Sequence, residues 1–377
     1  MAKAHTNLMK NPVFKDLVSS INSPEVLSEG RVIEQRASHF TEAESCLACH
    51  GTKVEVLGTY TRETIMGEMD FPTLKGWPNQ GVGRVNPDRS EGICTACHTR
   101  HAFSIADARK PYTCSQCHKG PDVPAFKVYM VSKHGNIFSA QKHEWNFEAV
   151  PWRVGKDFSA PSCAVCHVSL LVDPEGNKIV ERTHRMNDRS SWRLFGLPYA
   201  HPHPKDPDTT KIRNKLGLAL PTELTGEYVL EAVIGPAEQE RREANMQQVC
   251  FACHSESWVQ AKFKRIARVI EATNKRTLTA TRLLLDACKK ELAKGSGQKD
   301  SLFNEAIERM WLECWLFYAN SIRFSAAMSG ADYGVFAKGR YHLSTLIRKM
   351  KDYLGFLSCF RKQKSSRSEG SVLRADR

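Results

Sequence analysis

Cys94-Thr95-Ala96-Cys97-His98 sets two cysteines three positions apart and a histidine directly behind the second. The same pattern recurs at Cys46–Cys49–His50, Cys114–Cys117–His118, Cys163–Cys166–His167 and Cys250–Cys253–His254, making five copies in 377 residues. With 13 Cys and 14 His available, random placement would give roughly 0.02 copies. The spacing has a chemical reason. Two cysteines three apart share one helical turn, so both sulfurs reach the two vinyl groups on one edge of a haem and form thioethers. The histidine that follows projects under the ring and takes one axial position on iron. Each motif therefore predicts one covalently bound haem c, five in all.

Two other readings use the same cysteines. The pairs Cys94–Cys97 and Cys114–Cys117 are separated by 16 residues, which fits a four-cysteine zinc ribbon. The ten motif cysteines could also pair into disulfides. Neither alternative requires histidine after the second cysteine, and all five copies have it. Haem is the reading that explains every position. Cys288, Cys314 and Cys359 stand outside the motifs and read as buried or spare thiols.

Haem changes the meaning of the charge. The chain carries 54 Lys and Arg against 41 Asp and Glu, a formal +13, which alone would suggest an acidic partner. Five haems bring about ten propionates, mostly ionised at neutral pH. Much of the basic excess is then internal compensation, and nucleic acid is not an expected partner. Hydrophobic residues at 41% and charged residues at 25% are ordinary globular values. No run of apolar residues is long enough for a transmembrane helix.

Five histidines are proximal ligands. Candidates for the opposite axial positions are His39, His101, His134 and His184, each outside a motif but near one. His98 and His101 lie three apart on one face, so they cannot grip opposite sides of one ring; His101 would serve a neighbouring haem. Four distal ligands for five haems leave one iron open, as a reductase or oxidase needs. His5, His143, His201, His203 and His342 read as ordinary surface or core histidines.

The fold is expected to be mainly α: a multihaem head with a haem-packed core and little regular structure, then a bundle of long helices. Residues 1–35 read as a polar lead-in with a short helix at Pro24–Gln35, and no signal peptide is visible. Residues 36–255 form the five-haem domain, in which 51–93 reads as loop and 201–207 (His-Pro-His-Pro-Lys-Asp-Pro) as a linker or surface loop. From Pro236 the composition turns to helix formers. Helices are predicted over Glu238–Lys294, where Val259, Phe263, Ile266 and Ile270 keep the 3.6-residue period, then over Leu302–Ala327 and Lys338–Leu354. Residues 256–356 form the bundle, and the basic, serine-rich 357–377 is an expected disordered tail.

The stretches around the motifs resemble the octahaem hydroxylamine oxidoreductase family of multihaem cytochromes c. The matching text is Gly81-Val82-Gly83-Arg84-Val85-Asn86-Pro87-Asp88, Cys94-Thr95-Ala96-Cys97-His98-Thr99-Arg100-His101, Gly120-Pro121-Asp122, Ser132-Lys133-His134-Gly135, Thr183-His184, and Ala326-Ala327-Met328-Ser329-Gly330-Ala331-Asp332-Tyr333. It runs from about Arg36 to Leu346. That family carries eight haems, and the five motifs here resemble its last five, a set similar to the pentahaem ammonia-forming nitrite reductases. The resemblance implies that the Cys46–Cys49–His50 haem is catalytic, with His50 proximal and no distal protein ligand. It implies that Asp122 handles protons beside the pocket, although the histidine of the family's Asp-His pair is here Val123. Tyr333 matches the tyrosine that oxidative members link to the catalytic haem of a neighbouring subunit, but the Trp-His that follows it there is Phe336-Ala337 here.

The resemblance further implies a small nitrogen substrate, with hydroxylamine or hydrazine oxidised if Tyr333 is linked and nitrite or hydroxylamine reduced if it is not. It implies an electron-transfer partner such as another cytochrome c or a quinone-linked protein, a homotrimer, and a periplasmic or otherwise extracytoplasmic location. Two further expectations compete: an electron carrier with every iron six-coordinate, and a gene product that has lost an N-terminal three-haem segment.

Overall fold

The computed structural model describes residues 55–64, 67–75, 94–99, 102–205, 212–294 and 305–372. The first motif, His39, His101 and the helix expected at Pro24–Gln35 lie outside them. The fold is mainly α, with long C-terminal helices, as the sequence predicts.

The described residues begin with a hairpin where a loop was expected. Strands β1 (Glu55–Thr64) and β2 (Gly67–Lys75) pair antiparallel from Glu55 opposite Lys75 to Thr64 opposite Gly67. The reason is local: Val56, Thr59, Tyr60, Thr61 and Thr64 are β-branched or aromatic, and the Gly/Pro clusters that suggested loop begin only at Gly76. Tyr60 stacks on Phe71 across the pair, and Thr61 donates to Asp70 Oδ1 at 2.7 Å.

Short elements then carry the head: helices α1 (Ile105–Arg109), α2 (Pro111–Ser115), α3 (Ala125–Val131) and α4 (Lys133–Gln141), strand β3 (Trp152–Arg153), and α5 (Cys163–His167). Strands β4 (Leu171–Val172) and β5 (Lys178–Val180) complete a three-stranded sheet with β3 at its edge, and β6 (Trp192–Arg193) pairs with β7 (His201–Pro202). Haems were expected to supply this core. The protein supplies one of its own, in which Tyr129, Phe138, Trp145, Phe147, Trp152 and Phe158 pack together. Trp152 is fully buried and meets Phe158 at 4.5 Å between ring centres. Arg109 lies 4.4 Å over Trp152 and donates to Phe147 O and Ala149 O, both at 2.7 Å. The cation is thereby satisfied by carbonyls and a ring face.

The bundle consists of α6 (Pro236–Phe251), α7 (Glu256–Lys289), α8 (Ala306–Glu313), α9 (Asn320–Met328) and α10 (Arg340–Val372). A π-helical stretch, Cys314–Ala319, joins α8 to α9, and another, Tyr333–Ala337, precedes α10. On α7 the buried Val259, Ile270, Thr273, Thr277, Ala280, Thr281 and Ala287 form a stripe of mostly small side chains. The threonines return their hydroxyls to carbonyls four residues back, as Thr277 does to Thr273 O at 3.1 Å, so they are buried without orphaned groups. Ala280 and Ala287 of this stripe pack into a core with Ile307, Cys314, Ile322, Leu343 and Met350.

Two further expectations change. His201-Pro202 is no surface linker: it is strand β7, and His201 is fully buried. Asn274 of α7 holds this segment in place, accepting from Ala200 N at 3.0 Å and donating to Ala200 O at 2.9 Å. Nearby, a Cβ on Gly196 would lie 2.4 Å from Arg323 Nη1 and 2.6 Å from the Tyr199 carbonyl carbon, so only glycine fits. The expected disordered tail is helical through Val372, because nothing in 355–372 stops α10: it holds no proline, and Lys and Arg are good helix formers.

Trp152→Ala should lower unfolding stability by about 3–5 kcal/mol, the range for removing a large buried ring. Chemical denaturation followed by far-UV circular dichroism measures it, and a loss under 1 kcal/mol would show that the aromatic cluster is not the core of the head.

Candidate haem attachment sites

Four of the five motifs lie in the described residues, and three share one backbone turn. In Cys94–His98, Cys114–His118 and Cys250–His254, the first cysteine's carbonyl accepts from the second cysteine's N–H at 3.1–3.2 Å and from the histidine's N–H at 2.9 Å. Both sulfurs and the imidazole are thus fixed to one turn. The fourth copy is helix α5 itself, held by Cys166 N to Ser162 O at 3.3 Å and Val168 N to Ala164 O at 3.0 Å.

A buried arginine clamps that fourth turn. Arg189 Nη1 donates to Val165 O at 3.1 Å and Cys166 O at 3.4 Å, and Nη2 donates to Ser169 O at 2.8 Å and to Glu181 O. A cation at the helix C-terminus complements the dipole and satisfies carbonyls that would otherwise lack donors. Sequence reading missed this residue, because its 22-residue separation from His167 carries no local signal.

Successive motifs are neighbours in space. Cys97 lies close enough to Cys114 and Cys117 for their ionisations to be coupled. The Cys114 and Cys163 sulfurs lie within hydrogen-bonding reach, and His118 acts on His167. Cys166 in turn feels Cys250 and Cys253. The four described motifs therefore follow one another in space as they do in the chain.

The imidazoles have the form iron requires. Burial lowers the pKa of His98, His118 and His134, and drives His167 down to about 4, with Arg189 adding to the effect. A neutral imidazole at neutral pH keeps a lone pair for metal. His98 stacks on Phe103, and its buried Nδ1 has no hydrogen-bond partner.

His134 supplies the clearest test of fit. It sits in the first turn of α4, whose N-cap Ser132 accepts from Gly135 N at 3.2 Å. A Cβ on Gly135 would lie 2.1 Å from Tyr129 O, so glycine lets α4 start hard against α3. The His134 and His254 ring centres are 6.0 Å apart. Two imidazoles gripping one iron from opposite faces, at about 2 Å each, have ring centres roughly 6 Å apart. His254 is backed by Trp258, stacked at 4.1 Å. The residues fit a haem at the fifth motif. Beside it, half-buried Lys262 donates to Ala326 O at 2.5 Å and Ser329 Oγ at 2.7 Å, tying this site to the turn before Tyr333.

The zinc reading has no support in this geometry. Among the described residues no group of three or more His, Cys, Asp or Glu converges to hold a bare metal ion. The cysteines stand as separate pairs on separate turns, and none of those described is joined in a disulfide.

The remaining predicted residues are less gathered. His184 lies exposed in the bend after β5. Asp122 follows the third motif and acts electrostatically on His118. Tyr333 opens the second π-helical stretch, half-buried, with its phenol pKa raised by burial. Nothing described joins Asp122 to Tyr333. His50, Cys46, Cys49, His39 and His101 lie outside the described residues.

Comparison with known proteins agrees with the motifs. Residues 83–189 match the family model described as "Seven times multi-haem cytochrome CxxCH", and residues 32–119 match "Cytochrome c7 and related cytochrome c". A probable nitrite reductase-hydroxylamine oxidoreductase fusion protein of Kuenenia stuttgartiensis is 31% identical over 293 residues, 67% of this chain and 31% of that protein. The chain thus spans about a third of that relative's length. A solved hypothetical multiheme protein is 37% identical, with a TM-score of 0.69 over 95% of this chain and 75% of its own. A reducing HAO-like protein complex from K. stuttgartiensis is 18% identical, with a TM-score of 0.59 over 73% of this chain and 61% of that one, a likeness of fold. No described helix is long and apolar enough to cross a membrane.

Arg189→Leu should destabilise the protein by about 2–4 kcal/mol, since it leaves buried carbonyls without donors. Arg189→Lys should recover part of the loss. Denaturant midpoints of the three proteins give the comparison, and equal midpoints would remove Arg189 from the clamp.

Proposed function

Since the chain belongs to the multihaem cytochromes c, we propose that it is an oxidoreductase for small nitrogen compounds, with one open catalytic haem and four electron-transfer haems. The observation that carries this reading is the unbroken neighbourhood of the second to fifth motifs, ending at the His134–His254 pair. Bound haem supplies one-electron chemistry and, where an axial position is open, a seat for a nitrogen ligand. The protein's part is to hold five such groups in a row. His98, His118, His167 and His254 are the proximal ligands of the last four. His134 would hold the same haem as His254, a role that the 6.0 Å separation of their rings supports. His39, His101 and His184 fill the other distal positions. His50 is the proximal ligand of the open haem, on resemblance alone.

Asp122 accepts or donates hydrogen bonds and protons beside the catalytic pocket. With Val123 in place of the family histidine, proton transfer has a single side chain to work through, so turnover is slow. The loss of that histidine slows either direction, while the altered flank of Tyr333 favours the reductive one, with nitrite or hydroxylamine as oxidant, over oxidation of hydroxylamine or hydrazine. Electrons come from a cytochrome c or quinone-linked partner, the location is extracytoplasmic, and the assembly is a homotrimer, as the resemblance implies.

Matured protein should carry five haems, adding about 3 kDa to the apo chain by intact mass. Addition of nitrite or hydroxylamine should shift the spectrum of one high-spin haem, seen by electron paramagnetic resonance. If every iron is low-spin and indifferent to both compounds, the protein is an electron carrier. His134→Gly should turn one further low-spin haem high-spin, with added imidazole reversing the change. An unaltered spectrum would exclude His134 as a ligand.

A further inference from the structure

Away from the motifs, a cluster of withdrawn cations surrounds β6 and β7. Arg193 stands on β6, paired in register with His201 of β7. His203 follows, Arg242 approaches from α6 and Arg323 from α9; electrostatic coupling links the two histidines to these arginines. His201 and Arg323 are both fully buried. His201 Nδ1 lies 2.6 Å from Pro202 O, while its Nε2 has no partner. Arg323 donates from Nη1 to Asn320 Oδ1 at 3.0 Å and from Nη2 to Asn274 Oδ1 at 2.7 Å and Pro198 O at 3.4 Å, while its Nε has none.

Among the described residues, neither Arg193 nor Arg323 makes an ion pair, and the Arg193 guanidinium makes no hydrogen bond. It lies 5.7 Å from the centre of the Phe195 ring. Glu238 reaches in only as far as Arg242, at 2.7 Å, and is shared with Arg241. Burial, reinforced by these arginines, pushes His201 down to about 4 and His203 to about 3, so neither adds a proton at neutral pH. A guanidinium drawn out of water without a counter-charge is costly. Arg193 has five donors to offer and nothing described to receive them.

We propose that Arg193, backed by Arg323 and His201, binds a carboxylate carried by the cofactor, a haem propionate. This rests on the haem reading of the motifs. The cluster lies between the two segments that carry the last two motifs. Arg189, four residues before Arg193, is bonded to the Cys163–His167 turn, and α6, which carries Arg242, runs into Cys250. Each haem brings two carboxylates, and the chain's +13 needs partners of that kind. A free inorganic anion is the other source of the same chemistry.

The test uses holoprotein with Arg193→Leu and Arg193→Lys, first counting haems per chain by pyridine haemochrome. A wild type without haem would sink the haem reading itself. With haem counts equal, optical redox titration should find one haem at a lower midpoint potential in Arg193→Leu, because a lost cation favours ferric iron. Arg193→Lys should restore it. Should Arg193→Leu not mature, Arg193→Gln replaces it with the same expectation. Unmoved potentials in both neutral variants would overturn the proposal. So would unmoved potentials with a thermal midpoint that phosphate raises in wild type but not in Arg193→Leu, since that places a free anion at Arg193.

Discussion

Everything in this protein hangs on one backbone turn, in which the carbonyl of a cysteine receives the N–H of the histidine four residues on, at 2.9 Å in three separate places. That bond is the ordinary helical one. Its consequence is that two sulfurs and an imidazole leave the chain from a single turn with fixed relative directions. Covalent and axial attachment are then encoded in five residues. No large pocket has to be built around each group before it is held, so a chain of modest length can carry several.

The turn alone does not place one motif beside the next. That is done by protein packing of a kind the motifs do not specify. The aromatic cluster around Trp152 fixes α1, α3 and α4 relative to β3, and Arg189 ties the Cys163–His167 turn to the strand that leads to β6 and β7. Lys262 ties the last motif to the end of α9. Asn274 and Arg323 then join the head to the helical bundle through Ala200 and Pro198. Buried cations recur in these joints because arginine satisfies several carbonyls from one planar group. Where carbonyls suffice, as at Arg109 and Arg189, the joint is complete. Where they do not, as at Arg193, a negative partner is wanted.

The bundle follows different physics. The α7 stripe is made of small residues, so the helices approach closely, and its threonine hydroxyls are returned to their own helix. Tyr199 and Trp311 both reach Thr281 Oγ1, at 3.0 and 2.9 Å, linking the middle segment to two helices through one hydroxyl. Helical periodicity in the sequence found α7 because Val259 and Ile270 repeat on one face. It could not find the π-helical stretches at Cys314 and Tyr333, since a single extra residue per turn leaves no mark on so short a pattern.

Local chemistry was therefore legible and distant pairing was not. The sequence determined the Cys-x-x-Cys-His turns, the histidine that closes each of them and the helical character of the C-terminal half, since each depends on residues within a few positions of one another. The hairpin at Glu55–Lys75 was legible too, in its β-branched residues, but was masked by the glycines and prolines just beyond it. Only the tertiary structure decided that His134 faces His254, 120 positions away, and that His201, an ordinary histidine by its neighbours, is buried close to Arg193 and Arg323. Such contacts depend on how separate elements exclude water together, and no stretch of chain read by itself carries that information.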